Sequence, residues 1–282
     1  MQFRMNKKYA VAVPALAVAA VTLTGCGGGG DSSPGAAITA GNTLKTFVPG
    51  DAWTYDVDGW EYRTGTPNVY VTSGAYVLGV QTDASTGDKS FTHDLRVKWN
   101  DNSSFTQNWL EDFQQSGAGV YRRGDTLDNP NFGSAGNFEV AEPTSPVYGT
   151  DAKGNQIIVG IGGYSSQPEL PAAWSATTGL SSDDAYDVAF GNSDGSATIT
   201  ATNHIHYGLT VIGKETVTVP AGTFETWKTN MITGYQAQGR TINTTAWWAP
   251  QLGSFVKADT TETVSTGQQV LHYKLRSTTV AH

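Results

Sequence analysis

The 282-residue sequence predicts an antiparallel all-β protein, and three observations carry that prediction. First, short runs rich in Val, Thr, Tyr, Trp and Phe recur from Phe47 to the end, separated by clusters of Gly, Asn, Asp and Ser. Second, the clearest run, Val270-Leu271-His272-Tyr273-Lys274-Leu275-Arg276, alternates strictly, with Leu271, Tyr273 and Leu275 on one side. Third, only 15% of residues are charged, against 33 Gly, 8 Trp, 12 Tyr and 10 Phe. That is the opposite of the Ala/Glu/Lys/Leu composition of coiled coils and long bundles.

In chain order, the first element is an address. Arg4, Lys7 and Lys8 precede a short apolar run from Ala10 to Leu23, and no acidic residue occurs before Asp31. The run is too short for an ordinary membrane span and has the length of a signal core. It leads into Leu23-Thr24-Gly25-Cys26, which resembles the bacterial lipobox. The resemblance implies cleavage before Cys26, acylation of that residue and attachment to the membrane through its acyl chains. Gly27 stands where lipoproteins retained in the inner membrane often carry Asp, which implies the outer membrane, on its periplasmic or surface side. Several chains on one residue anchor firmly, whereas one binds only marginally. Loss of residues 1–25 removes three basic residues and no acidic one, leaving 14 basic against 25 acidic residues and a charge of −11. Such a surface is repelled by anionic headgroups and by phosphate backbones, so nucleic acid is excluded as the main partner. The single Cys excludes a disulfide framework and a thiolate metal cluster.

Gly27–Gly30 followed by Asp31, Ser32, Ser33 and Pro34 reads as the start of a flexible tether extending to Asn42. The mature chain then divides into a first β module over residues 43–125, a connection over 126–171 and a second β module over 172–282. Pro130, Pro143, Pro146, Pro168 and Pro171 interrupt the connection. A weak internal repeat (Trp53 with Trp174, Phe91 with Phe224, Tyr121 with Phe255) fits two tandem similar modules, and generic amphipathic strands would also produce it. In the first module, Ala52–Val57, Asn68–Gln81 and Ser90–Trp99 read as strands. Gln107–Gln115 is the best helical candidate and equally a strand running into a turn.

In the second half, Ala197–His206, Thr210–Val219, Phe224–Thr233, Arg240–Trp248, Ser254–Val264 and Gln269–Val280 read as strands. Pro220 cannot donate a ladder hydrogen bond and ends one of them, Gly222 supplies the turn, and Pro250 ends another. Val217-Thr218-Val219-Pro220-Ala221-Gly222-Thr223-Phe224, Ala246-Trp247-Trp248-Ala249-Pro250 and Leu252-Gly253-Ser254-Phe255-Val256-Lys257 together resemble a pattern found in uncharacterised Gram-negative envelope proteins. The resemblance implies a sheet curved into an incomplete barrel, similar to lipoprotein-carrier folds, and it implies no catalytic residues.

Chemistry-bearing constellations are few. His204 and His206 lie at i and i+2 and share one side of a strand, a spacing used by metal sites, with His93 or His272 available as a third ligand. Ser181–Asp187 and Asp125–Asn129 are acidic but lack the ligand order of a calcium loop, and read as solvated loops. No G-x-S-x-G elbow and no phosphate-binding Gly loop before a helix occurs. The aromatic residues remain. A concave aromatic surface is what a lipid or other apolar ligand requires, and Trp99, Trp109, Trp227 and Trp247 are the candidates to line it. The functional classes left are therefore a carrier of an apolar or amphipathic ligand, a structural or interaction module, and a hydrolase if a His–carboxylate cluster forms.

Overall fold

The computed structural model describes residues 37–82, 89–128, 138–141, 145–150, 156–162, 167–191, 197–235, 239–264 and 267–281. These residues form strands and turns without a helix. Five strands come from the first part of the chain: β1 (Ala52–Arg63), β2 (Val69–Thr82), β3 (Lys89–Trp99), β4 (Ser104–Gln115) and β5 (Gly119–Asp128). Four short strands follow: β6 (Phe138–Ala141), β7 (Ser145–Thr150), β8 (Gln156–Gly162) and β9 (Leu170–Pro171). The last six are β10 (Gly179–Gly191), β11 (Ala197–Val219), β12 (Gly222–Tyr235), β13 (Arg240–Ala249), β14 (Ser254–Val264) and β15 (Gly267–Thr278).

All but β7 and β8 join one sheet, in the order β4-β3-β2-β1-β15-β14-β13-β12-β11-β10-β6-β5-β9. β5 also pairs with β4, so the sheet curls back on itself into a nearly closed antiparallel barrel. Registers slip between Val211 and Gly213 on β11 and between Trp247 and Trp248 on β13, and such bulges bend and twist their strands. At Gly59 β1 lies so close to β15 that a Cβ there would sit 2.0 Å from the Val270 carbonyl oxygen, at a φ of 147°. Only glycine fits that approach.

One end of the barrel is plugged. Backbone hydrogen bonds from Ile38 to Thr223, Leu44 to Ala172 and Lys45 to Pro250 lay residues 38–51 across the strand ends. The chain is thus docked from Ile38 onward, inside the span read from composition as tether, because Ile38 and the 5%-exposed Ala40 find an apolar seat. Phe47 is fully buried, edge-on to Trp53, Phe91 and Phe113 at centroid distances of 6.1, 5.0 and 5.6 Å. The tip of the β11–β12 hairpin closes over the same end, where the Ala221 amide donates to the Leu275 carbonyl.

Several local readings change. Gln107–Gln115 is strand β4 rather than a helix, and the acidic run Ser181–Asp187 is part of β10, register-paired with β11 from Asp183↔His206 to Asp187↔Thr202. Asp125–Asp128 likewise belongs to β5. The two strands expected over Ala197–His206 and Thr210–Val219 are one 23-residue strand. The hairpin stops stand where proline dictates: β11 ends at Val219, β13 ends at Ala249, and Gly222 takes a φ of 136°.

A candidate ligand cavity inside the barrel

The lumen is a product of alternation. On β2, Tyr76 and Leu78 point inward, on β3 Phe91 and His93, and on β13 Ala246 and Trp248, each pair separated by an outward residue. With residues of β4, β11, β12, β14 and β15 they line a partly open cavity of about 320 Å3. That lies at the lower end of the range for small-molecule sites, roughly 300–1,000 Å3.

Its wall is mostly aromatic and apolar, with one polar chain running into it. The Tyr76 hydroxyl lies 2.7 Å from His93 Nδ1, and His93 Nε2 lies 3.5 Å from Glu111 Oε2. The three come from adjacent strands, β2, β3 and β4, and Phe91, Leu78 and Tyr273 complete the wall beside them. From Tyr76 the aromatic surface continues to Tyr273 at 5.5 Å, to Phe255 at a further 6.1 Å and to Trp248 at 5.8 Å. Trp248 tilts against Trp174 at 5.6 Å. Glu169, next to Leu170 of β9, reaches the wall beside Tyr207, whose hydroxyl donates to the Glu169 carbonyl.

Three phenols around this space are held protonated. Burial pushes the Tyr76 phenol well above its ordinary value, and the neighbouring Tyr55, Tyr273 and the charge of Glu111 push the same way. Burial likewise raises Tyr55, against a smaller opposing effect of its hydrogen bond with Ser254, and raises Tyr273, with Glu262 adding to it. The lumen therefore presents neutral hydroxyls, one imidazole and carboxylates.

The residues singled out from sequence are distributed differently. Trp99 is 3% exposed and belongs to the main core cluster with Val57, Val97 and Leu95. Trp227 stands opposite Trp248 in register, but its Nε1 donates to the Gly41 carbonyl at 3.1 Å, on the plugged side. Trp247, one residue from Trp248, faces the other side of β13, where the Lys257 and Lys228 ammonium groups lie 4.0 and 5.1 Å from its ring centroid. The Trp109 backbone pairs with His93 and Leu127, while its side chain lies outside the described residues. Among the described residues, the tryptophan of the cavity wall is Trp248. Sequence reading passed over it, as it did Tyr76 and His93 as wall residues; the strand alternative for Gln107–Gln115 places Glu111 and Phe113 on one face.

His206 is on β11 with its Nδ1 2.9 Å from Asp183 of β10, and the His204 side chain lies outside the described residues. His272 pairs with Asp259 at 2.8 Å. Among the described residues, no three His, Cys, Asp or Glu side chains converge as a metal site would require. Cys26 also lies outside the described residues.

No family model matches the chain, and no curated protein matches it. Solved structures with some likeness to it are found. A β-barrel-like protein of the DUF1849 domain of unknown function, from Brucella abortus, is 10% identical, with a TM-score of 0.39 over 86% of this chain and 100% of that one. A protein assigned as a lipoprotein, from Parabacteroides distasonis, is 12% identical, with a TM-score of 0.32 over 84% of this chain and 98% of that one. A protein assigned as exported, with a YmcC-like fold, from Bacteroides fragilis, is 11% identical, with a TM-score of 0.33 over 84% of this chain and 99% of that one. The chemistry of the cavity rests on this chain's own residues.

Proposed function

We propose that this chain is a lipid-anchored protein of the cell envelope, tethered to the outer membrane through Cys26, that holds an apolar or amphipathic ligand inside its barrel. The observation that carries the ligand reading is the aromatic cavity of about 320 Å3 inside the barrel. The lipobox-like Leu23-Thr24-Gly25-Cys26 and the basic-then-apolar leader support the location. A hydrolytic reading has only the His93–Glu111 pair behind it.

Volume bounds the ligand. At about 320 Å3 the cavity is of the size that takes a single short chain or a fused ring. Burying about ten methylenes contributes about 8 kcal/mol, against an association cost of about 4 kcal/mol or more. The surplus of about 4 kcal/mol corresponds to a dissociation constant on the order of millimolar. Tighter binding has to come from the polar end of the ligand.

Native mass spectrometry of the full chain carrying Cys26→Ala, purified without detergent, should show a copurifying small apolar molecule. Titration with a single-chain amphiphile should change the tryptophan emission, and Trp248→Phe should remove most of that change. A ligand-free mass together with a flat titration would transfer the assignment to an interaction module. For the anchor, Cys26→Ala should abolish acyl labelling and release the protein from the membrane fraction; unchanged membrane association would refute it.

A further inference from the structure

We infer that the outer face of the barrel carries a second site, a groove that takes an extended neutral glycan lying across the strands. It is separate from the lumen and does not rest on the ligand-holding reading. A hollow of about 620 Å3 opens on the outer face of β10 to β14. Its floor follows from register. Thr210, Asn230, Thr245 and Asp259 stand opposite one another on β11, β12, β13 and β14. Two residues farther from the plug, a second row runs from Ile232 through Asn243, Thr261, Val270 and Trp60 to Tyr70. Residues paired directly across strands share a face, so each row lies on one side of the sheet. That side is the outer one, because Ala246, next to Thr245, and Ala258, next to Asp259, line the lumen.

The two rows carry the chemistry that a sugar chain needs. The first offers hydroxyls and an amide. Asn230 accepts from the Thr245 hydroxyl at 3.3 Å, which leaves its own amide N–H groups to donate outward. The ionisable groups around the hollow are already paired: His206 with Asp183 at 2.9 Å, and Asp259 with His272 at 2.8 Å and Lys257 at 3.3 Å. A neutral partner leaves these pairs intact, whereas an anionic chain has to compete for their cations. The second row sets apolar surface between the polar groups, with Ile232 37% and Tyr70 53% exposed. A pyranose uses both kinds of surface, since its C–H faces pack on apolar and aromatic groups while its rim hydrogen-bonds. Strand spacing sets the repeat. Neighbouring strands lie about 4.8 Å apart, close to the length that one sugar adds to an extended β-linked chain, so each strand meets one sugar. An extended peptide instead needs a free strand edge for its backbone, and β11 to β15 are each paired on both sides.

The test titrates three probes into the full chain carrying Cys26→Ala, read by calorimetry. Chitohexaose and cellohexaose are neutral and β-linked, and hexagalacturonate is an anionic chain with the same number of sugars. At least one neutral hexamer should bind saturably, about tenfold or more tighter than its own disaccharide, because contacts on several strands add up. It should also bind about tenfold or more tighter than hexagalacturonate. Asn243→Ala and Tyr70→Ala, both at exposed positions, should each weaken that hexamer about threefold or more. Absence of saturable binding by both neutral hexamers overturns the glycan site. So does a hexamer no tighter than its disaccharide or than hexagalacturonate, and so does binding that either substitution leaves unchanged. Should one of the two variants fail to fold, Thr210→Ala, at another exposed position of the first row, takes its place with the same expected loss.

Discussion

Tyr55, Tyr76 and Tyr273 bring three phenols into one apolar interior, and their protons tie the stability of the fold to alkaline pH. Burial raises each phenol above 10, its value in an unfolded chain, so below pH 10 both states hold all three protons. Above pH 10 the unfolded chain releases them while the folded protein keeps them. The contribution to stability is thus fully present below pH 10 and is lost as pH rises toward the folded values. The slope approaches about 1.4 kcal/mol per pH unit for each phenol, roughly 4 kcal/mol per unit for the three together. Urea unfolding on either side of pH 10, with phenolate absorbance followed in parallel, should show this decline and a set of tyrosines that ionise only on unfolding. A stability that stays level from pH 9 to pH 11 would contradict the burial of these hydroxyls. At the same scale lies the reason Trp247 and Trp248 were not separable in the sequence. Both are large and apolar, so alternation gives no sign of which faces in, and a one-residue change of parity exchanges the cavity wall for the far side of the strand. The flanking residues decide it: Lys228 and Lys257 stand opposite Trp247 in register, and Trp227 and Phe255 stand opposite Trp248.

At the scale of the element, β4 shows why the functional strand was the hardest to read. Its inward residues Glu111, Phe113 and Gln115 include two polar ones, which breaks the apolar–polar alternation by which a half-buried strand is recognised. Each polar residue has a task. Glu111 lines the cavity, and Gln115 holds the plug, accepting from the Phe47 amide at 2.9 Å and donating to the Lys45 carbonyl at 2.7 Å. Local rules fail where function is placed. The hairpin elements, by contrast, were legible because proline imposes its stop regardless of context: Pro220 and Pro250 sit immediately after the last residues of β11 and β13. The plug also carries a stability prediction. Phe47 is fully buried among three aromatic rings, so Phe47→Ala should cost about 3–5 kcal/mol by lost burial and the cavity left behind. Denaturant midpoints measure this, and a loss under about 1 kcal/mol would show that residues 38–51 are not part of the cooperative fold.

At the scale of the whole molecule, the decisive pairing joins distant parts of the chain. β1 pairs with β15 from Trp53↔Thr278 to Arg63↔Gly267, making one continuous surface of the first and last long strands. No local pattern encodes that junction, since it depends on which strand edges remain unpaired after the hairpins have formed. The opposite junction is, among the described residues, paired more sparsely. Among the described residues, β10 meets β6 through one pair, Asp187↔Ala141, and β6 meets β5 from Gly124↔Ala141 to Leu127↔Phe138. A barrel closed by so few ladder bonds on one side should open there first, because local opening needs only the hydrogen bonds at the seam to break while the rest of the sheet stays paired. Amide exchange should therefore be fastest at residues 138–141 and 186–188 and slowest in the central strands β1, β12, β13 and β15. Peptide-resolved hydrogen exchange under native conditions checks the order. Uniform protection from β6 through β15 would mean that the seam is held by interactions beyond this sparse ladder, and protection lost first at the β1–β15 junction would place the weak line of the barrel on the wrong side.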